Sequence, residues 1–211
     1  MKVVGIILLL TLTFSVKSQT LVESLTPICN QLDTAKTLNE LMFISASFDM
    51  VTSKFPEELM SNYYSALSKA LVSYMELNTE KRDLYIDSGD KYFAKVKLLS
   101  PENEETYILA ALLANARLSV DGGSRWKVYG EIFDKNIESA KAINPNNPRI
   151  YYLKGAAVFN TPKMFGGGAK KALEFFVKAK ELFPTQVKTT VLKPYWGENR
   201  NNYYLLQCAE K

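Results

Sequence analysis

Any chemistry in this chain must proceed without histidine, because none occurs among its 211 residues. That removes the commonest general base, the commonest zinc ligand and every serine–histidine or cysteine–histidine nucleophile pair. Two cysteines remain, Cys29 and Cys208, near opposite ends of the chain. In an oxidising compartment they could pair and tie the ends together, or stay as two separate buried thiols. Asp87 with Asp90, and Glu102 with Glu105, are acids at helical spacing. Such pairs can do acid–base work, but they equally suit solvated faces and first turns, where a carboxylate meets the positive end of the helix dipole. Gly166-Gly167-Gly168, followed by Lys170 and Lys171, could cradle a phosphate on free backbone N–H groups. The segment lacks the Gly-Lys-Ser/Thr ending of a nucleotide loop and no strand precedes it, so a tight turn between helices is expected. Gly122-Gly123 stands in the matching place one unit earlier. No calcium-loop pattern, zinc spacing or serine nucleophile motif occurs. The expectation is a protein without catalytic residues, metal ligands or cofactor, and not an enzyme.

Recognition is the better prospect. Tyr63, Tyr107 and Tyr151 recur 44 residues apart, with Tyr64 and Tyr152 beside the first and last. Tyrosines offer a flat apolar body and a polar tip, suited to gripping a peptide or a flat ligand, and equally to packing between helices. Arg117, Asn115, Lys154 and Arg149 are polar companions. Trp196, in the tail Lys193-Pro194-Tyr195-Trp196-Gly197, and Trp126, beside the Gly122-Gly123 turn, are either packing anchors or binding anchors. The candidate partner-binding residues are therefore Tyr63, Tyr64, Tyr107, Arg117, Trp126, Tyr151, Tyr152 and Trp196.

The elements that position these residues are helices. Four quartets share one spacing, at positions 0, +4, +7 and +12: Ile44–Phe48–Val51–Pro56, Gly89–Phe93–Val96–Pro101, Phe133–Ile137–Ala140–Pro145 and Ala172–Phe176–Ala179–Pro184. Offsets of four and seven place three side chains on one helical stripe, and the proline marks the stop. The quartets start 45, 44 and 39 residues apart, the signature of a helical repeat. Pro56, Pro101 and Pro148 are read as opening the next helices, with Ser100 as a cap. Each quartet helix then follows a partner, and the resulting hairpins must stack to bury their apolar faces. The first quartet lacks a convincing preceding partner. No segment sustains period-two alternation, so the fold class is all-α.

The last unit resembles the tetratricopeptide repeat family. Pro148 to Ala156 looks like its first helix and Lys171 to Pro184 like its second. Gly155, Ala172 and Ala179 stand where the family places small residues, and Phe176 where it places an aromatic. The loop between the two helices is longer than the family's, and the earlier units run at 44 to 45 residues rather than about 34. The resemblance implies a right-handed helical-hairpin solenoid of three to four degenerate units with a C-terminal capping helix. It also implies that first helices line a concave binding face. Phe165-Gly166-Gly167-Gly168 before a second helix, combined with an export signal, is similar to exported bacterial (periplasmic) members, including accessory subunits of solute transporters.

That signal is read from Met1-Lys2, the apolar run Val3 to Phe14, and Val16-Lys17-Ser18, with cleavage between Ser18 and Gln19. The run is too short for a stable span, and no later segment is apolar enough for one. Removing Lys2 and Lys17 from 26 basic residues leaves 24 against 22 acidic, a net charge near +2. This gives no argument for nucleic acid. The expected organisation is a cleaved signal at 1–18 and one repeat domain at 19–211. Its units cover about 33–56, 57–101, 102–147 and 148–184, with a tail and cap at 185–211. The expected function is an exported, periplasmic or secreted scaffold binding a protein or peptide in the cell envelope. The alternative is a small-molecule-binding accessory protein of a solute transport system.

Overall fold

In the computed structural model, the described residues are 20–186 and 188–210; the expected signal at 1–18 lies outside them. They form an all-α array. Helix α1 covers residues 20–34. It is followed by α2 (Leu38–Lys54), α3 (Leu59–Met75), α4 (Thr79–Leu99), α5 (Glu104–Val120), α6 (Gly122–Ile143), α7 (Pro148–Asn160), α8 (Ala169–Leu182) and α9 (Glu198–Ala209). Helices α3 with α4, α5 with α6, and α7 with α8 pack as antiparallel hairpins, and α9 packs on α8. The first helices α3, α5 and α7 also touch in succession, forming one face of the array.

The four quartets sit on α2, α4, α6 and α8. Phe48, Val96, Ile137, Ala140, Ala172, Phe176 and Ala179 are fully inside the core. Close packing explains the small residues among them. A Cβ added at Gly155 would lie 2.6 Å from the Phe176 ring, and one at Gly89 would lie 3.1 Å from Leu113 Cδ2. The first quartet does have a partner: α1 precedes it and contributes Leu21, Leu25, Cys29 and Leu32 to the same core. Part of that stripe falls in the segment read as the start of the mature chain, where no quartet marks it.

Three junctions share one turn. In Phe55-Pro56-Glu57-Glu58, Ser100-Pro101-Glu102-Asn103 and Asn144-Pro145-Asn146-Asn147, the first residue ends one helix and the last caps the next. Proline occupies the second turn position, where its fixed φ is wanted. Glu58 N–H donates to Phe55 O, and Asn147 N–H donates to Asn144 O. Pro56 and Pro101 are therefore turn residues rather than first helical residues, and Asn103, not Ser100, caps α5. Of the three prolines read as helix openers, Pro148 alone stands at a helix start. Gly122-Gly123 is also not a turn: both glycines lie in α6, and Asp121 alone separates α5 from α6, its carboxylate accepting from Gly123 and Ser124 N–H.

Candidate functional site

The side chains with the densest polar chemistry lie on the first-helix face, where segment 188–197 crosses it. Glu105 stands in the first turn of α5, a position favoured by the helix dipole. Its Oε1 accepts from Asn147 Nδ2 at 2.6 Å, from Arg149 Nε at 3.1 Å and from Arg149 Nη2. Its Oε2 accepts from the Tyr63 hydroxyl at 2.8 Å. The same hydroxyl accepts from Trp196 Nε1 at 2.9 Å. The chain of bonds thus runs from the tail, through α3 and α5, to α7.

Arg149 is the unusual member. Its side chain is only 2% exposed and sits in the first turn of α7, where the helix dipole disfavours a cation. Burial works against its charge, and the Glu105 carboxylate together with Tyr63 and Tyr64 outweighs that, so its pKa is raised. The guanidinium carbon lies 5.7 Å from the centroid of the Trp196 ring, a cation–π contact. Nη2 also donates to Gln186 Oε1 at 3.2 Å, while Nη1 has no partner among the described residues.

Aromatic rings surround this cation. Tyr63 and Tyr64 meet edge to face, Tyr64 stacks on Phe48, and Tyr152 meets Trp196 edge to face. The Tyr64 hydroxyl donates to Val191 O at 2.8 Å, fixing the tail a second time. Burial, and then the Glu105 charge, push the Tyr63 phenol well above its ordinary range. Burial does the same to Tyr64, with Cys29 adding to it. On the far side, Tyr195 donates to Asn30 Oδ1 and Asn199 donates to Asp33, so the tail also reaches the end of α1.

Four of the candidate binding residues, Tyr63, Tyr64, Tyr152 and Trp196, therefore meet in one place, inside the fold and under the tail. Tyr107 and Tyr151 are half-buried, and the Tyr151 hydroxyl donates to Pro145 O. Arg117 lies elsewhere, clamped by Asp83, Asp87 and Asp90 of α4, with Arg125 sharing Asp83. The pair Asp87 and Asp90 belongs to this ion cluster. Arg125, followed by the field of Arg117, holds the Asp83 carboxyl below its usual range. Trp126 stands on the surface, 64% exposed. Lys154 pairs with Glu138.

In sequence Glu105 reads as a first-turn acid, and nothing there marks Asn147 or Gln186 as part of the site. A signal was available: Glu105 and Arg149 are 44 residues apart, one repeat period, so they occupy equivalent positions on neighbouring first helices. Cys29 and Cys208 are not joined; Cys29 is buried and Cys208 partly exposed. Burial raises the Cys29 thiol to about 12. A separate cleft of about 250 Å³ opens between α1 and α2, lined by residues including Phe43, Ile44 and Glu40. The Glu40 carboxylate is committed to the backbone N–H groups of Lys36 and Thr37. Among the described residues no group of acids and cysteines could hold a metal ion, and no helix is long and apolar enough to cross a membrane.

No family model matches the chain. Among solved structures, the HusA haemophore from Porphyromonas gingivalis is similar, with a TM-score of 0.74 and 28% identity, covering 90% of this chain and 93% of that one. The fold is shared along nearly the whole length. Among curated proteins, human regulator of microtubule dynamics protein 2 is 24% identical, covering 78% of this chain and 42% of its own length. The rat protein of the same name is also 24% identical, covering 74% of this chain and 39% of itself. The chain spans about two-fifths of the length of the curated relatives it matches.

Proposed function

We propose that this protein is an exported, non-enzymatic carrier of a small, flat, largely apolar acid of the haem type. The observation that carries the reading is the likeness to a haemophore over 90% of this chain. We place the ligand on the first-helix face, with the tail segment as its movable wall. Tyr63, Tyr64, Tyr152 and Trp196 supply aromatic surface for stacking. Arg149, with Nη1 unpartnered, supplies a donor for a carboxylate. The array itself is read as a degenerate tetratricopeptide-like one, whose stacked hairpins preorganise that surface.

The absence of histidine gives this reading a distinctive consequence. Affinity comes from ring stacking and carboxylate pairing rather than from a histidine–iron bond. Haem and metal-free protoporphyrin should then bind with affinities within about tenfold of each other, each saturating near one per chain. An absorption titration of both ligands reads this directly. No saturable spectral change with either would sink the carrier reading.

A second reading has its own support. The tail already lays a non-helical segment, Val191 to Trp196, across the same face, so that face accepts an irregular stretch of chain and its aromatic side chains. An envelope protein or peptide partner would then compete with the tail. Retention of such a peptide, with no porphyrin binding, would favour this reading.

A further inference from the structure

The turn between α7 and α8 is rigid, protruding and apolar at its tip. A short 3-10 turn, Lys163–Phe165, is followed by Gly166 and Gly168 at φ of 88° and 103°, backbone conformations that favour glycine. Gly167 is packed so closely that a Cβ would lie 2.1 Å from Thr161 O. Gly166 N–H donates to Lys163 O, Gly167 N–H to Pro162 O and Gly168 N–H to Val158 O. This bonded frame presents Met164 and Phe165 to solvent, 83% and 73% exposed. A folded chain ordinarily tucks such side chains away when it orders their loop.

The charge around the tip is of one sign. From residue 139 to 173 the sequence contains no Asp or Glu. Lys163, Lys170 and Lys171 flank the tip, and none is within ion-pair distance of a described carboxylate, unlike Lys154 and Lys178 nearby. The neighbouring hairpin points its own turn to the same edge, because α5 and α7 are successive first helices in contact. One turn into α6, it carries exposed Trp126 followed by Lys127. The acid there, Asp121, is engaged by Gly123 and Ser124.

From this geometry we infer that the Met164–Phe165 turn, with Lys163, Lys170, Lys171 and the adjacent Trp126, is a docking site for an anionic lipid surface. A convex apolar tip ringed by unpaired lysines can sink into the headgroup region of a fluid bilayer without a matching pocket. The lysines meet lipid phosphates, and Trp126 sits at interface depth. A protein partner would have to supply a preformed cavity for two protruding side chains.

The test is vesicle co-sedimentation of a chain starting at Gln19, which retains every core residue described above and omits the apolar run of residues 3–14. Vesicles of phosphatidylcholine alone are compared with vesicles containing phosphatidylglycerol, at low and high salt. Binding is expected only with the anionic lipid and should weaken with salt. Lys163→Gln/Lys170→Gln/Lys171→Gln should weaken it on the order of 100-fold. Met164→Ser/Phe165→Ser should weaken it by about tenfold or more, at both salt concentrations. All five side chains are at the surface, so circular dichroism should show unchanged folding. Equal binding to neutral vesicles, or wild-type affinity in either variant, overturns the proposal. So does absence of binding to the anionic vesicles, and photocrosslinking of a protein at position 165 would then identify a protein occupant instead.

Discussion

Removing the Glu105 carboxylate is the sharpest perturbation of this fold. In Glu105→Ala, the Arg149 guanidinium, 2% exposed, loses its counter-charge. Asn147 and the Tyr63 hydroxyl lose an acceptor at the same time. Stripping one partner from a buried ion pair costs about 3–5 kcal/mol, because the remaining charge stays buried without compensation. Glu105 is itself 14% exposed, so water can reach the gap and the lower end, about 3 kcal/mol, applies. A stranded Tyr63 donor adds about 1 kcal/mol. For a domain of this size, each kcal/mol lowers Tm by roughly 2–4 °C, so a fall of about 8–16 °C is expected. Thermal unfolding followed by circular dichroism measures it. In Glu105→Ala/Arg149→Met the buried charge is gone as well, and most of the loss should return. A fall under about 3 °C in the single variant, or a double variant no better than the single, would show that Glu105 does not hold the buried Arg149 charge.

Three further outcomes are expected. Gly155→Ala should destabilise by about 1–3 kcal/mol by forcing Phe176 away, and Phe176→Leu in the same chain should recover part of it; unaltered unfolding would contradict the packing. With a thiol-labelling reagent near neutral pH, Cys208 should react first, and Cys29 only on unfolding, because Cys29 is buried and its thiol lies at about 12. The fold should also be alkali-sensitive. The Cys29 thiol is raised from 9.0 to about 12 by burial, so its stabilising contribution is complete below pH 9 and is lost as pH climbs towards 12. Buried Tyr63 and Tyr64, and partly buried Tyr74, are shifted in the same direction. A Tm that stays level from pH 8 to 11 would show that these groups ionise without hindrance.

The second helices were legible because their chemistry is local. A stripe such as Phe133, Ile137 and Ala140 needs only one helix to be recognised, and the proline beyond it marks the boundary. Helix starts were less legible, because Pro56 and Pro101 fit a first helical position and the second position of a β-turn equally well. The site was legible as residue types but not as an arrangement. Tyr63, Tyr64, Tyr152 and Trp196 could be singled out, yet nothing local tells that Trp196 returns across 133 residues to bond Tyr63. The pairing of Glu105 with Arg149 was present as one repeat period, but reading it requires knowing that first helices touch in succession.

Hydrogen exchange with and without haem most directly tests the placement of a flat ligand on the first-helix face. Saturating haem should change amide exchange in the tail around Val191 to Trp196 and in the first turns of α3, α5 and α7, leaving α4 and α6 as they were. Exchange that is unaltered there, or that changes only in a distant region such as the α1–α2 cleft, would contradict it.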